Sequence, residues 1–453
     1  MKHQIPVSKS EPAPSPANAL VLGLGSSGEA AARLLLGRGV AVTVIDRSDG
    51  AVVDARAAAL RSQGACVVTG AMELPTNVYD LCVASPGLPV DSGWVAALVK
   101  RGVPVISELE LAYRHAPCPI LAITGTNGKS TLTRLCGDAM AAAGLRVEVG
   151  GNYGTPACET VCGDDVLEWL VWEVSSFQLE TCHAFAPRVG VILNIQPDHL
   201  DRHGSLAHYA ELKVSMLANM ADGMAVIVPH SERDRVAAGL TNRPSWQTFA
   251  TGEGADYCYR DQKLHHGDET LALAGSVFAN PIVGQTAAAA WAAMTACGVG
   301  RDALAEAIGA FQSLPHRMQQ ISVHKGVTYV DDSKATNLAA MKAGLRMATG
   351  PVHLIAGGQL KEDDLESVKE LLANCVKTVY LIGDAEGPMQ AAWEDVVLCR
   401  NCGTMECAVK AAATDAFNGD WVLLSPGCAS FDQYPDYKAR GNHFAESVNQ
   451  LER

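Results

Sequence analysis

From Ala19 onward, short apolar runs alternate with longer amphipathic ones, and glycine turns separate them. ALVLGLG runs into SSGEAAARLLLGRG and then VAVTVID, which reads as strand, glycine turn, helix and strand, a βαβ unit. VYDLCVASPGL and VPVISELELA continue that alternation. A second start follows at PILAIT, an apolar strand entering Gly125-Thr126-Asn127-Gly128-Lys129-Ser130-Thr131 and a helix that opens LTRLCGDAMAAAG. WLVWEVSS, VGVILNI and MAVIVP predict further strands, up to the Ala-rich helix GQTAAAAWAAMTACG. A third block begins near Leu314, where GVTYVDDSK, PVHLIAGG, TVYLIG and DWVLLSPG are short apolar strands between helical patterns. The pattern predicts an α/β chain with domains over 18–108, 109–314 and 315–453. A Pro- and Ser-rich leader over 1–17 is expected to be disordered.

Composition agrees with several domains: 453 residues, 48% hydrophobic, with 42 glycines, are too many for one core. The formal net charge of -14 argues against a nucleic-acid surface, because phosphate binding relies on clustered Lys and Arg. Neither a signal peptide nor a run of about eighteen apolar residues is visible, so a cytoplasmic protein with no membrane span is expected. The 14 cysteines are mostly scattered singly through apolar segments, which suits buried reduced thiols. Cys399, Cys402 and Cys407 lie closer together, but no fourth zinc ligand stands nearby and ordinary packing is the expectation.

The chemistry begins with the second glycine turn. Gly125 and Gly128 let backbone N–H groups approach an anion, the following helix aims its N-terminus at it, and Lys129 adds a point charge. Ser130 would place a hydroxyl on Mg²⁺. Ile123 stands where a standard phosphate loop has its first glycine, so the loop is a shortened variant. Gly23-Leu24-Gly25-Ser26-Ser27-Gly28 is a second glycine fingerprint, with Asp46 ending the next strand where a ribose-binding acid would sit. Taken alone it suggests NAD. The same turn accepts any diphosphate, so a dinucleotide and a nucleotide-linked sugar both stay open.

The remaining polar islands follow in order: Gly151-Asn152-Tyr153-Gly154, EVSSFQLE (Glu173 to Glu180), Asp198-His199-Leu200-Asp201-Arg202, and Lys213 on a helix. After them come Pro315-His316-Arg317, Asp332-Ser333-Lys334-Ala335-Thr336-Asn337, and the run Ser425 to Gln433. Together these islands resemble the Mur ligase family, and DSKATN, CASFDQ and SSFQLE resemble its D-glutamate-adding branch. The resemblance spans about Gly23 to Phe444.

It implies a Rossmann-like amino-terminal domain that holds UDP, a central P-loop ATPase α/β domain, and a Rossmann-like carboxy-terminal domain that brings in an amino acid. The implied reaction joins UDP-N-acetylmuramoyl-L-alanine to D-glutamate, with ATP becoming ADP and phosphate. Lys129 would contact the phosphates, with Gly125, Thr126, Asn127, Gly128 and Thr131 completing the loop. Ser130 and Glu173 would hold one Mg²⁺, although a strand-end carboxylate could also be a structural ion pair. Arg317 and Lys334 would neutralise the γ-phosphate region, and Asp332 would bond the ATP ribose. His199 and Lys213 would serve a second Mg²⁺. A lysine needs carbamylation for that, and a reference pKa of about 10.4 must first be depressed. The plain alternative for Lys213 is an exposed helix lysine.

For the UDP end the resemblance points to Ser26, Ser27, Asp46, Arg47 and Gly87, with Asn152 nearer the sugar and peptide. For D-glutamate it points to Thr336, Lys361, Ser430, Phe431 and Tyr437, although Thr336 and Ser430 could be helix caps. Two departures stand out. Gly284 and Gln285 replace the family's usual His-Asn pair, whose Asn reads adenine, and Gly357-Gly358-Gln359-Leu360 precedes Lys361 where an acidic residue and a glycine are usual. A sister amino-acid ligase, such as folylpolyglutamate synthetase, is the nearest rival. An NAD-dependent oxidoreductase would leave Lys129, Glu173, His199 and Lys334 unexplained.

Overall fold

A computed structural model describes residues 16–163, 166–361 and 364–451. The leader expected to be disordered falls, over residues 1–15, outside the described residues. The chain divides into two units: the first runs to Ile195 and adds Ala207–Ala274 and Gly284–Ala310, and the second comprises Gln196–Leu206, Gly275–Val283 and Phe311 onward.

The first unit holds two sheets. Its amino-terminal sheet is built from β1 (Asn18–Leu22), β2 (Ala41–Ile45), β3 (Cys66–Val68), β4 (Leu81–Ala84) and β5 (Val105–Ser107), all parallel, in the order β3-β2-β1-β4-β5. The strand order reverses between β1 and β4. Ligands bind at such switch points, beyond the carboxyl ends of the strands, and the Gly23 turn and the Ser85-Pro86-Gly87 turn lie at those ends.

The second sheet has nine strands: β6 (Ile120–Thr124), β7 (Val147–Gly151), β8 (Trp169–Glu173), β9 (Val189–Ile192), β10 (Ala225–Pro229), β11 (Ser245–Thr251), β12 (Tyr257–Arg260), β13 (Lys263–His266) and β14 (Glu269–Ala272). Their order is β14-β13-β12-β11-β10-β9-β6-β8-β7. It is parallel from β7 through β12 and ends in the antiparallel strands β13 and β14. All five residues of β6 are buried, as expected of a central parallel strand covered on both faces. Each such Leu or Ile contributes about 1.5–3 kcal/mol through burial.

The second unit carries β15 (Gln319–His324), β16 (Val327–Asp331), β17 (Val352–Gly357), β18 (Val376–Ile382), β19 (Leu398–Gly403) and β20 (Trp421–Leu424), ordered β15-β16-β20-β17-β18-β19. All pairs are parallel except β15 with β16. Separate apolar clusters cover its two faces, one around Met341, Val368, Met389 and Trp393, the other around Tyr380, Met405, Val409 and Phe444. Burial on both faces leaves the loops at the strand ends to carry polar chemistry. No helix among the described residues is long and apolar enough to cross a membrane.

Candidate active site

In the first unit, the turn from β6 into the helix Lys129–Ala142 makes the phosphate-type loop. Gly128 sits at φ 81°, which favours glycine, and a Cβ there would press on the Leu193 side chain, 2.7 Å from Cδ2. The loop is pinned from the end of β9: the N–H groups of Thr126 and Asn127 donate to Asn194 Oδ1 at 3.0 and 2.9 Å, and Asn194 Nδ2 donates back to Asn127 O at 2.9 Å. Sequence reading missed Asn194, whose only signal is a polar residue closing the apolar strand VGVILNI.

Lys129 Nζ donates to Thr126 O at 2.8 Å, which holds the ammonium over the loop. Ser130 Oγ donates to Glu173 Oε2 at 2.5 Å, and Asn152 Nδ2 donates to Glu173 Oε1 at 2.7 Å. Glu173 is 3% exposed. The structure therefore brings Ser130, Glu173 and Asn152 together beside the loop, with Asn152 on the carboxylate. A buried carboxylate next to a hydroxyl at a helix N-terminus fits Mg²⁺, which is usually bound through one or two carboxylates plus phosphate oxygens. Among the described residues, no cluster of three or more His, Cys, Asp and Glu is arranged to hold a metal without such help.

Lys213 is 1% exposed, so the exposed-lysine alternative does not hold. Its Nζ donates to Gly125 O at 2.8 Å and lies 4.3 Å from the centre of the Tyr209 ring, while Tyr209 Oη donates to Thr126 Oγ1 at 3.4 Å. Lys213 and Tyr209 thus meet the loop from the helix Leu206–Ser215. Gln285 is on the helix Pro281–Ala296, and its neighbour Thr286 places Oγ1 3.5 Å from where a Gly128 Cβ would stand. Thr131 lies in the first turn of the helix that follows the loop.

At the amino-terminal turn, Gly28 packs so closely on Gly23 that a side chain would overlap the Gly23 carbonyl. Asp46 turns inward: Leu24 N–H donates to its Oδ2 at 2.5 Å and Ser48 N–H to its Oδ1 at 2.7 Å. The carboxylate fastens the glycine turn to the end of β2. Arg47 is exposed, with its guanidinium carbon 4.3 Å over the Trp94 ring. Ser26 and Ser27 begin the helix Ser26–Gly37, and Gly87 is exposed in the turn after β4.

In the second unit, Asp332 follows β16 and is buried. Met318 N–H donates to its Oδ1 at 3.2 Å and Ser425 Oγ to its Oδ2 at 2.9 Å. Burial pushes its carboxyl up to about 7, against the opposing pull of Ser425, Met318 and the charge of Arg317. Lys334 Nζ stands 4.0 Å from the centre of the Tyr437 ring. Asn337, and not Thr336, caps the helix Leu338–Met347, its Oδ1 accepting from Ala340 N–H at 2.7 Å, and its Nδ2 donates to Asp198 Oδ2 at 3.0 Å. His199, at φ 53°, donates its backbone N–H to Asp198 Oδ1 at 3.0 Å and keeps its ring 3.6 Å from that carboxylate.

No regular helix starts at Ser430, and the following helix Tyr437–Gln450 is capped by Asp436. Ser430 is buried and Phe431 exposed. Arg440 is 1% exposed and joins two motifs: its guanidinium donates to Ser333 Oγ and O at 3.0 and 2.8 Å, and to Cys428 O and Ala429 O at 3.1 and 3.2 Å. Burial lowers its pKa to about 10. Sequence reading missed this residue as well. Gln359 and Ala429 exchange backbone hydrogen bonds at 2.9 Å, which brings the segment carrying the partly buried Lys361 beside that carrying Ser430.

Family models match the Mur ligase MurD-like N-terminal domain over residues 17–107, the Mur ligase middle domain over 123–293, and the Mur ligase glutamate ligase domain over 316–428. The chain is 37% identical over 445 residues to the UDP-N-acetylmuramoylalanine--D-glutamate ligase of Acidobacterium capsulatum, covering 94% of this chain and 95% of that one. It is equally identical over 443 residues to the ligase of the same name from Desulfatibacillum aliphaticivorans, covering 95% and 97%. In fold it is similar to the Thermotoga maritima MurF ligase in complex with ADP (TM-score 0.63, 17% identity, 95% and 97% covered). A pseudomurein peptide ligase from Methanothermus fervidus is similar too (TM-score 0.61, 18% identity, 96% and 100% covered). With its three α/β domains on largely parallel, Rossmann-like sheets, the chain belongs to the Mur ligase family.

Proposed function

We propose that this chain is the ligase that joins D-glutamate to UDP-N-acetylmuramoyl-L-alanine, forming ADP and phosphate, in peptidoglycan precursor synthesis in the cytoplasm. The observation that carries the reading is near full-length identity of 37% to relatives bearing that activity as their name. The contact of Ser130 with buried Glu173 beside the Gly125–Ser130 loop supplies a matching ATP site.

A carboxylate is a weak electrophile and its oxygen a poor leaving group. Transfer of the γ-phosphoryl of ATP to the alanyl carboxylate gives an acyl phosphate and ADP. The neutral amine of D-glutamate then attacks the carbonyl carbon, the C–N bond forms, the amine loses one proton, and the C–O bond to phosphate breaks from the tetrahedral intermediate to give the amide and hydrogen phosphate. Two anions must meet in the first step, so positioning and charge neutralisation carry most of the catalysis.

In this reading Lys129 and the loop N–H groups cradle the phosphates, with Gln285 toward the adenine, Asp332 at the ribose, and Arg317 and Lys334 at the γ-phosphate. Ser130 and Glu173 would hold one Mg²⁺, and His199 and Lys213 a second. Bound there, Mg²⁺ supplies charge compensation for the phosphate oxygens. Lys213 is assigned as the carbamate former: its amine adds to CO₂, an N–C bond forms, and a proton is lost, leaving a carboxylate. Its near-complete burial supports that role, and its contact with Gly125 O would be exchanged on modification. Mass spectrometry and ¹³C-bicarbonate NMR of the intact enzyme test the carbamate.

Ser26, Ser27, Asp46, Arg47 and Gly87 are assigned to the UDP end, Asn152 to the sugar and peptide, and Thr336, Lys361, Ser430, Phe431 and Tyr437 to D-glutamate. The domain boundaries are placed at 18–108, 109–314 and 315–453. Phosphate release from ATP with UDP-N-acetylmuramoyl-L-alanine is to be measured against D-glutamate, L-lysine, meso-diaminopimelate and a glutamate-extended folate. Release that depends on D-glutamate is expected; its absence overturns the reading.

A further inference from the structure

The turn Ser430–Tyr434 between β20 and the helix Tyr437–Gln450 has two anchors. On one side Arg440 and Gln359 hold the backbone at Cys428 and Ala429. On the other, Tyr434 N–H donates to Ser430 O at 2.8 Å, closing the turn, and the Tyr434 hydroxyl meets His443 Nδ1 at 2.8 Å. His443 Nε2 meets Glu406 Oε1 at 2.8 Å. Glu406 is in the first turn of the helix Met405–Asp415 and His443 is in the helix Tyr437–Gln450, so this chain of contacts ties the turn to two helices at once. Gln433 Nε2 adds a bond to Gly403 O at 2.8 Å on the same side.

The donors and acceptors match without remainder in one tautomer. Tyr434 O–H donates to Nδ1, and Nε2–H donates to the Glu406 carboxylate. Burial pushes the Tyr434 phenol up to about 12.

We propose that His443 is a positioning residue for the amino-acid acceptor: through Tyr434 it fixes the turn that presents Ser430 and Phe431. The inference rests on the assignment of D-glutamate to that turn. His443 itself touches neither substrate nor reacting atoms, and its effect belongs in the acceptor's KM.

Steady-state kinetics with ATP, UDP-N-acetylmuramoyl-L-alanine and D-glutamate varied in turn test it on the full chain. His443→Ala and Tyr434→Phe are each expected to raise the D-glutamate KM roughly tenfold, the loss of a half-buried hydrogen bond, with the other two KM values within about twofold. The double variant should be no worse than His443→Ala, because both break one link. Glu406→Ala, which removes only the outer partner, should raise it by about threefold. Tyr434→Phe removes a single oxygen and guards against a misfolded alanine variant. Ser430→Ala separates the two readings. If it leaves the D-glutamate KM unchanged, the acceptor assignment of the turn falls and the inference falls with it. If Ser430→Ala raises that KM while His443→Ala and Tyr434→Phe do not, or raise all three KM values alike, the positioning role alone is overturned.

Discussion

The two glycine turns of the first unit, Gly23–Gly28 after β1 and Gly125–Ser130 after β6, share a backbone plan and differ in what neighbouring strand ends place against them. Each leads a parallel strand into a helix whose N-terminus can face an anion. At the first, Asp46 from the end of β2 spends both carboxylate oxygens on the N–H groups of Leu24 and Ser48. At the second, the pinning is done by a neutral amide, Asn194, and the carboxylate from the end of β8, Glu173, lies against Ser130. Lys129 has no counterpart at the first turn, where Ser26 and Ser27 open the helix. The glycine spacing is shared; the adjoining strand ends leave one turn with its carboxylate bound to backbone N–H groups and the other with a carboxylate set against a hydroxyl next to a lysine.

That contrast can be broken most severely at Lys129. Lys129→Ala should lower ATP-dependent phosphate release on the order of 10³-fold with the thermal midpoint retained, because a preorganised charge is lost from the transferred phosphate. Glu173→Gln keeps an acceptor for Ser130 and removes the charge; a loss of about 10²-fold is expected, with Mg²⁺ half-saturation moved to higher concentration in a metal titration. Asn194→Ala leaves the phosphate-contacting groups in place and loosens the loop, so kcat/KM for ATP should fall roughly tenfold. Asp46→Asn should raise the KM of the UDP substrate about threefold and leave that of ATP alone. An equal effect of Asp46→Asn on ATP would show that the two turns do not work separately.

The smallest expected effect concerns the helix Glu108–His115, which joins the two sheets carrying these turns. Glu108 Oε1 accepts from Cys158 N–H at 2.5 Å, Oε2 has no hydrogen-bond partner among the described residues, and burial pushes the carboxyl up to about 7. Its folded pKa therefore lies above its unfolded value. Between the two, the folded state binds more protons, so stability falls as pH rises from the unfolded pKa toward 7 and then levels off. Thermal unfolding followed from pH 5 to pH 8 should show a decline of a few degrees in the unmodified chain that Glu108→Gln flattens. A parallel decline in both proteins would assign it to other groups.

Much of the site was legible locally. The order strand, glycine turn, helix located both turns, and a Lys-Ser pair opening the helix marked the second as the candidate phosphate loop. The strands β12–β14 were not legible, because β13 and β14 each bury only one of four residues and show no clean alternation. The cap of the helix Leu338–Met347 could not be told from sequence: Thr336 and Asn337 are both capping types, and only Asn337 reaches Ala340 N–H. Lys213 offered no local sign of burial. Three turns of an otherwise ordinary amphipathic helix carry it, and Tyr209, one turn earlier, shares its contact with the loop.

By itself the sequence determined which chemical groups exist and their order along the chain: two glycine turns, the carboxylates that end the strands after them, and the carboxy-terminal hydroxyls and cations. Tertiary structure alone decided the partners that make those groups a site. Thr126 and Asn194 are 68 residues apart, Asp198 and Asn337 are 139, and Ser333 and Arg440 are 107. Periodicity over one helix or strand carries no information at such separations. The ends of parallel strands converge only after the sheets have formed, and that convergence places an amide on one loop and a guanidinium across two others.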